Sequence, residues 1–395
     1  MNILYFSSVD ISLPNGPGIN EREFIFNFSQ ESKINVDNLS FLLPVTSQSI
    51  QGKLKNCYWY DLKKNRFNIF PFNIIKIYPL FILIRKLIKK KSIDFVIIRM
   101  NKSLIFIILY LALKKISYAI KTLGNEYCFD KKKLSYKQRS YLYIYRIVLK
   151  YILKNAKFID VCTDQFKSLY SSKYSLPNIK VIENSVNTDK FYLLEKDVIK
   201  ENLGLSQFDP IIGYCGGSPS KRGAKQIIEI FPKLKKEYNN IGILIIGEDQ
   251  KLKSLKKMNI NNEDERNVIF TGIINYEKIN EYINCFDLGF ALDTFDRIRT
   301  IGNSSQKIRQ YISCGVPAIC ATGTNRKIID AGFAYEVNPN DIDEIFETVN
   351  RLLKNKQSKC ESYRKNAHNY ACEYLSVKES LKERNKYWFK NLFEV

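Results

Sequence analysis

The chain has 395 residues, 45% of them hydrophobic, which is too long for one compact core and enough for two domains of ordinary size. Its net charge of +22 is uneven, since residues 1–195 hold 31 Lys+Arg against 14 Asp+Glu and residues 196–395 hold 31 against 26. The nine cysteines form no CxxC pair and the single histidine, His368, lies far from most of them, which weighs against a zinc framework and points to a reducing compartment.

The first residues, Met1 to Phe6, run into Ser7, Ser8 and Asp10 without a basic leader, so they read as a buried strand rather than a signal peptide. Short apolar runs then alternate with helical stretches. Ile3 to Phe6 precedes a helix from about Glu21. Phe95 to Ile98 precedes Ser103 to Lys115, Tyr118 to Thr122 precedes Lys131 to Asn155, and Phe158 to Cys162 precedes a helix from Asp164. Such alternation predicts a parallel sheet with helices on both faces. The longest uninterrupted apolar run, Leu104 to Leu113, is about half of what a bilayer requires.

The rhythm pauses at Glu183 to Phe191, and a domain boundary is expected near residue 195. It restarts with Ile211 to Cys215 then Ala224 to Glu237, Ile243 to Gly247 then Leu252 to Met258, and Val268 to Thr271 then Tyr276 to Cys285. The fold class is therefore α/β, with two Rossmann-like doubly wound domains and a ligand crevice expected between their carboxyl-end loops.

Three stretches carry candidate chemistry. Leu13 to Asn20 is a loop bearing Gly16 and Gly18, where backbone without side chains can approach a ligand, although such a turn is also ordinary punctuation. Tyr214 to Lys225 reads as strand, glycine-rich loop with Gly216 and Gly217, then helix, with adjacent cations Lys221 and Arg222, a pattern suited to a diphosphate. In Ile301 to Pro317, Ser304 or Ser305 can cap a helix that ends at Gly315. Asp341-Ile-Asp343 is the nearest approach to a metal-binding carboxylate pair and reads better as a helix start.

These stretches together resemble the family-four glycosyltransferases of GT-B architecture. The loop 216–223 is similar to their "GR…KG" element, 182–191 to "PNGVD…F", 268–272 to "V.F.G", and 304–319 to "S..K..EY.A.G.PVI". The segment Ser376 to Phe393 looks like the final helix that crosses back to the first domain of that fold. The resemblance implies an acceptor-binding domain 1–195, a nucleotide-sugar-binding domain 196–372, facing it across a cleft, and a last helix 373–395 on the first domain.

Carried over by position, it implies that Arg222, helped by Lys221, holds the donor diphosphate as the catalytic cation. Gly16, Gly18, Gly216, Gly217, Gly247, Gly272, Ile273, Ser304, Ser305, Lys307 and Gln310 would bind the donor, and Asn20, Arg99, Asn125 and Glu126 the acceptor. The chain departs from the family pattern at Gly217, where an arginine is usual, at Gly302, where a glutamate is usual, and at Gln310, an amide in place of a ribose-binding glutamate. The histidine that many members carry after the position of Thr122 is absent, with Asn125 or Glu126 in its place.

The resemblance implies a retaining hexosyltransferase that needs no metal, with the nucleoside-diphosphate sugar as donor substrate. Its acceptor would be a lipid-linked glycan or cell-surface polysaccharide, handled in the cytoplasm or on the cytoplasmic membrane face. The alternative is a nucleotide-sugar-binding protein of the same fold whose catalytic constellation has decayed. Residues 51–150 set 23 basic against 4 acidic residues, which suits peripheral contact with an anionic membrane, whereas no interleaved aromatic motif supports nucleic acid. The helix Lys131 to Asn155 sets Leu134, Tyr141, Ile144, Tyr145, Val148, Tyr151 and Ile152 on one apolar side. That side either packs on the sheet or, flanked by Lys89 to Lys91 and Lys131 to Lys133, lies on such a membrane.

Overall fold

The computed structural model describes residues 1–13, 16–30, 38–44, 48–60, 77–123, 135–176, 178–251, 254–255, 265–301, 305–356 and 359–393. Unit 1 comprises Met1–Glu183, Arg299–Gly302 and Leu381–Val395, and unit 2 comprises Asn184–Ile298 and Asn303–Ser380.

Unit 1 is built on seven strands: β1 (Ile3–Phe6), β2 (Leu39–Pro44), β3 (Cys57–Tyr60), β4 (Phe95–Arg99), β5 (Ser117–Leu123), β6 (Ile159–Val161) and β7 (Ile179–Val181). Their order is β3-β2-β1-β4-β5-β6-β7 and every neighbouring pair is parallel. Between the strands run α1 (Gly16–Ser29), α2 (Gln48–Gln51), α3 (Ile77–Lys90), α4 (Ile105–Leu113), α5 (Tyr136–Asn155) and α6 (Asp164–Tyr174). Right-handed crossovers put α3 to α6 on one face and α1 on the other. The strands bury both sides: Leu4, Phe6, Val96 and Ile98 join the core under α3 to α6, while Ile3, Tyr5, Phe95 and Ile97 join the core under α1.

Sequence reading leaves β2, β3, α3 and β7 unassigned. It also starts the first helix at Glu21, whereas α1 begins at Gly16, because Pro17 supplies a fixed φ that suits a first helical turn. Gly16 and Gly18 are thus the start of a helix, not an open loop. The expected helix from Lys131 is described only from Tyr136, where Ser135 and Gln138 form a reciprocal cap, and residues 131–134 lie outside the described residues.

A buried ionic cluster ties α1 to the sheet. Glu21 is fully buried, and its carboxylate accepts from the Tyr5 hydroxyl at 2.5 Å, from Lys121 Nζ at 2.9 Å and from Arg99 Nη1. Burial alone would push the Glu21 carboxyl up, but Arg99 and Lys121 hold it well below its ordinary value of 4.5. Burial also lowers Lys121, which Glu21 pulls back only partly, to about 8.

The last helix of the chain, α15 (Val377–Phe393), belongs to unit 1 from Leu381 onward. Trp388 stacks on Phe158 with ring centroids 5.7 Å apart and meets Phe24 and Phe28 edge-on, and Arg384 Nε donates to Asp160 at 3.1 Å. The helix residues before Leu381, up to Ser380, fall in unit 2.

Unit 2 has β8 (Ile211–Cys215), β9 (Gly242–Ile246), β10 (Val268–Gly272), β11 (Leu288–Ala291), β12 (Ala318–Ala321) and β13 (Ala334–Val337), all parallel, in the order β10-β9-β8-β11-β12-β13. Its helices are α7 (Lys196–Asn202), α8 (Ala224–Glu237), α9 (Ile279–Asn284), α10 (Phe295–Ile301, which passes into unit 1 at Arg299), α11 (Gln306–Ser313), α12 (Arg326–Asp330), α13 (Ile342–Lys354) and α14 (Glu361–Tyr370). Asp341 caps α13 by accepting from the Glu344 amide at 2.9 Å, so this acidic pair is a helix start, as read. Only residues 254 and 255 of the expected helix Leu252 to Met258 are described.

The passage between units falls at Glu183 and Asn184 rather than near 195. The intervening segment bonds to unit 2 throughout. Val186 donates to the Leu375 carbonyl at 2.9 Å, the amides of Tyr192 and Leu194 donate to Asn280 and Asn284, and Ser313 Oγ donates to the Phe191 carbonyl. Its polar composition reflects these bonds and not a free linker.

Replacing Glu21 with Gln leaves two cations buried against a neutral amide, and about 3–5 kcal/mol of stability is expected to be lost. Because the folded carboxyl titrates below its unfolded value, the wild-type contribution is complete above pH 4.5 and declines as pH falls below it. Denaturant midpoints of the two proteins should therefore differ at pH 7 and converge in acid, and a constant difference would contradict the assignment.

Candidate functional site

In unit 2 the polar and flexible residues gather at the carboxyl ends of neighbouring strands, where a doubly wound sheet exposes backbone amides. Gly216 follows β8, Gly247 follows β9 and Gly272 ends β10, and these three strands are adjacent. The Gly216 amide donates to the Ile246 carbonyl at 2.9 Å and the Gly247 amide to the Gly272 carbonyl at 2.8 Å. A Cβ on Gly247 would lie 2.2 Å from the Gly216 carbonyl oxygen, and its φ of +117° is one that side chains rarely adopt.

Beyond Gly216 the chain makes a turn of 3₁₀ helix over Pro219–Lys221 and enters α8 through Gly223. Asp249, two residues past Gly247, pins this turn by accepting from the Ser220 amide at 2.9 Å and its hydroxyl at 2.6 Å. Burial would raise the Asp249 carboxyl, but the Ser220 bonds hold it below its ordinary value. Tyr214 Oη donates to the Gly217 carbonyl at 2.7 Å, which fixes the other end of the loop.

The cations occupy distinct positions. Arg222 makes a two-point ion pair with Asp293, which follows β11: Nε donates to Oδ1 at 2.6 Å and Nη2 to Oδ2 at 2.9 Å. Burial opposes the Arg222 charge, and Asp293 outweighs it and holds the guanidinium above its ordinary pKa. Lys221 is exposed, so the adjacent pair in the sequence divides, with one cation fixed and the other facing solvent. Lys307, on α11, is buried, with Nζ 5.2 Å from the Tyr214 ring centre and Cε 2.5 Å from where a Gly216 Cβ would stand. Gly217 has nothing within 4 Å of a would-be Cβ.

Ser305 is the N-cap residue of α11, and its buried Oγ has no hydrogen-bond partner among the described residues. Arg309 Nη1 donates to the Ser305 carbonyl at 3.0 Å and to Asn325 Oδ1 at 3.4 Å, and Gln310 is buried one residue further on. Ile273 is 73% exposed just past Gly272. Ser304 and Gly302 lie outside the described residues.

The unit 1 candidates do not converge in the same way. Arg99 is committed to Glu21 in the buried cluster, and the partly buried Asn20 sits on α1 one residue before that carboxylate. Asn125 and Glu126 lie outside the described residues.

Of the residues singled out in the sequence, the fold brings Gly216, Gly247, Gly272, Arg222, Lys307 and Ser305 to these strand ends, together with Asp293, Asp249, Tyr214 and Arg309, which the sequence does not single out. For Asp293 a signal exists, because it is the first polar residue after the apolar run Leu288 to Leu292, at a strand end matching those of Gly216 and Gly247.

Residues 195–370 match the model of a family described as glycosyl transferases group 1. No curated protein sequence matches the chain. The fold is similar to a glycosyltransferase from Rickettsia africae, at TM-score 0.74 and 16% identity over 100% of this chain and 99% of that one. It is similar to sucrose-phosphate synthase from Thermosynechococcus elongatus, at TM-score 0.73 and 13% identity over 100% of both chains. It also resembles Anabaena HepE in complex with UDP, at TM-score 0.70 and 12% identity over 98% of this chain and 99% of that one. The two parallel-sheet α/β units thus form the GT-B fold that the motifs suggest.

The strand-end glycines differ in what surrounds them, which makes them separable by substitution. Gly272→Ala, with φ of +68° and no neighbour in reach, should cost about 1 kcal/mol, and Gly247→Ala, which meets a carbonyl oxygen, about 3 kcal/mol or more. Equal losses in thermal unfolding would contradict the packing described.

Proposed function

We propose that the chain is a glycosyltransferase that moves a sugar from a nucleoside-diphosphate donor to an acceptor hydroxyl with retention of configuration. The observation that carries this reading is one juxtaposition in the unit that matches the group 1 family. Adjoining glycine-ended strands, the Arg222–Asp293 pair, the Lys307 ammonium and the start of α11 surround the same strand ends.

On this reading Asp293 holds the guanidinium in place through two N–H groups, and its remaining N–H donors bond the donor diphosphate. Lys307 supplies a second positive charge beside Gly216, which makes up for the glycine at 217. The amides opening α11 and the Ser305 hydroxyl face sugar or phosphate, and Gly272 and Ile273 face the base. Gln310 replaces the usual ribose-binding carboxylate with an amide that still offers an acceptor oxygen.

As the bond from anomeric carbon to phosphate oxygen breaks, negative charge grows on the diphosphate, and preorganised cations stabilise that charge without reorganisation. The acceptor oxygen bonds to the anomeric carbon on the same face, and its proton passes to the departing phosphate. The excess charge of the first half of the chain favours a lipid-linked or polysaccharide acceptor handled at the cytoplasmic face of a membrane. UDP, held by the Anabaena relative, is the first nucleotide to test.

A second reading, a nucleotide-sugar-binding protein without turnover, is favoured by Gly217, Gly302 and Gln310. Sugar release from a panel of nucleoside-diphosphate sugars in the presence of lipid extract separates the two, since tight binding without release supports the second.

If the transferase reading holds, Arg222→Ala lowers kcat/KM by about 100–1000-fold. The double variant Arg222→Ala with Asp293→Ala should recover folding stability, because no unpaired carboxylate remains, without recovering turnover. Wild-type turnover in the single variant would contradict the role. The reading includes no metal cofactor, so turnover should persist in EDTA, and a loss that magnesium restores would overturn that part.

A further inference from the structure

Helix α5 resolves the question that its sequence leaves open, because it carries two apolar faces and not one. Leu142, Tyr145, Leu149, Ile152 and Leu153 are buried against the sheet. Tyr136, Tyr143, Ile144, Ile147 and Tyr151 are exposed, by 42 to 91%. At about 100° per residue these five fall within roughly 100° of arc on the side opposite the buried face. Fourteen large apolar side chains are exposed among the described residues, and five of them on one helix make a patch and not scatter.

The charges of α5 have one sign, and the edge beside it sets Asp94 against a row of lysines. Lys137, Arg139, Lys150 and Lys154 are exposed along α5, and its twenty residues include no carboxylate. In a parallel sheet the carboxyl ends of successive helices share one edge, here the edge where β4, β5 and β6 begin. The last turns and following residues of α3, α4 and α5 bring Lys89, Lys90, Lys91, Lys114, Lys115, Lys154 and Lys157 to that edge, all exposed, with Leu113 exposed among them.

We propose that this outer face of α5, with the lysine edge beside it, is a docking surface for an anionic lipid bilayer. It deepens the proposed function by naming where the membrane contact of that reading is made, and it rests on that reading only for the acceptor's location. The helix lies in the plane of the interface, with Ile144 and Ile147 against acyl chains, Tyr143 and Tyr151 at headgroup depth, and the lysines on lipid phosphates and carboxylates. A second copy of the chain is a poorer occupant, since two-fold pairing would oppose the same cations. Nucleic acid would leave the aliphatic side chains in water. No described helix is long and apolar enough to cross a membrane, so the contact is peripheral.

The test is flotation of the full chain with vesicles of phosphatidylcholine alone or with about 30 mol % phosphatidylserine, without any substrate. The wild type should partition onto the anionic vesicles about tenfold or more better than onto neutral ones. Ile144→Ser with Ile147→Ser, and separately Lys150→Glu with Lys154→Glu, should each reduce that partition by about tenfold or more. Both pairs are on the exposed face, so melting temperatures should match the wild type. Equal flotation of wild type and both variants, or no wild-type flotation, would overturn the proposal. So would a wild-type dimer in solution that the Ile144→Ser, Ile147→Ser pair converts to monomer. Because no donor is present, failure here leaves sugar transfer standing, and failure of sugar transfer leaves flotation standing.

Discussion

The close passage of Gly247 against the Gly216 carbonyl governs the candidate site. No side chain fits between these two strand ends, so their backbones approach. The candidate residues of unit 2 lie around that contact. Asp249 holds the loop beyond Gly216, Asp293 holds Arg222, and Lys307 lies in the space that a side chain at 216 would take. A doubly wound sheet offers such an edge in any protein, and what distinguishes this one is that the buried Asp293 carboxylate holds the Arg222 guanidinium there through two hydrogen bonds.

Much of this was legible in the sequence because it depends on local pattern. Strand-glycine-helix runs at Cys215 to Ala224 identify a loop at a strand end, and the alternation of apolar runs identifies the parallel sheets. What was not legible depends on pairing across long sequence distances. Asp293 is 71 residues from Arg222, and Glu21 is 100 residues from Lys121. Adjacency also misled, since Lys221 and Arg222 look equivalent in the sequence while a single turn of 3₁₀ helix separates their environments. Arg99 illustrates the same limit: the resemblance implies a residue for the acceptor, and the group it meets is the protein's own Glu21.

Helix α5 shows why a helical wheel drawn without the sheet misassigns faces. Pattern alone merges Tyr145 and Ile152, which are buried, with Ile144 and Tyr151, which are exposed, because the two apolar arcs together cover most of the helix. Only the position of the sheet divides them. Unit 1 thus holds cations in two settings: Arg99 and Lys121 sharing the Glu21 carboxylate in the buried cluster under α1, and lysines left in solvent along one edge.

The central claim concerns a diphosphate at the strand ends of unit 2, and a crystal structure of the full chain with a nucleoside diphosphate tests it most directly. The account predicts diphosphate oxygens within hydrogen-bond distance of the Arg222 guanidinium, with Asp293 still paired to that guanidinium and Lys307 adjacent. A nucleotide bound elsewhere, or bound with Arg222 turned away from its phosphates, would contradict it.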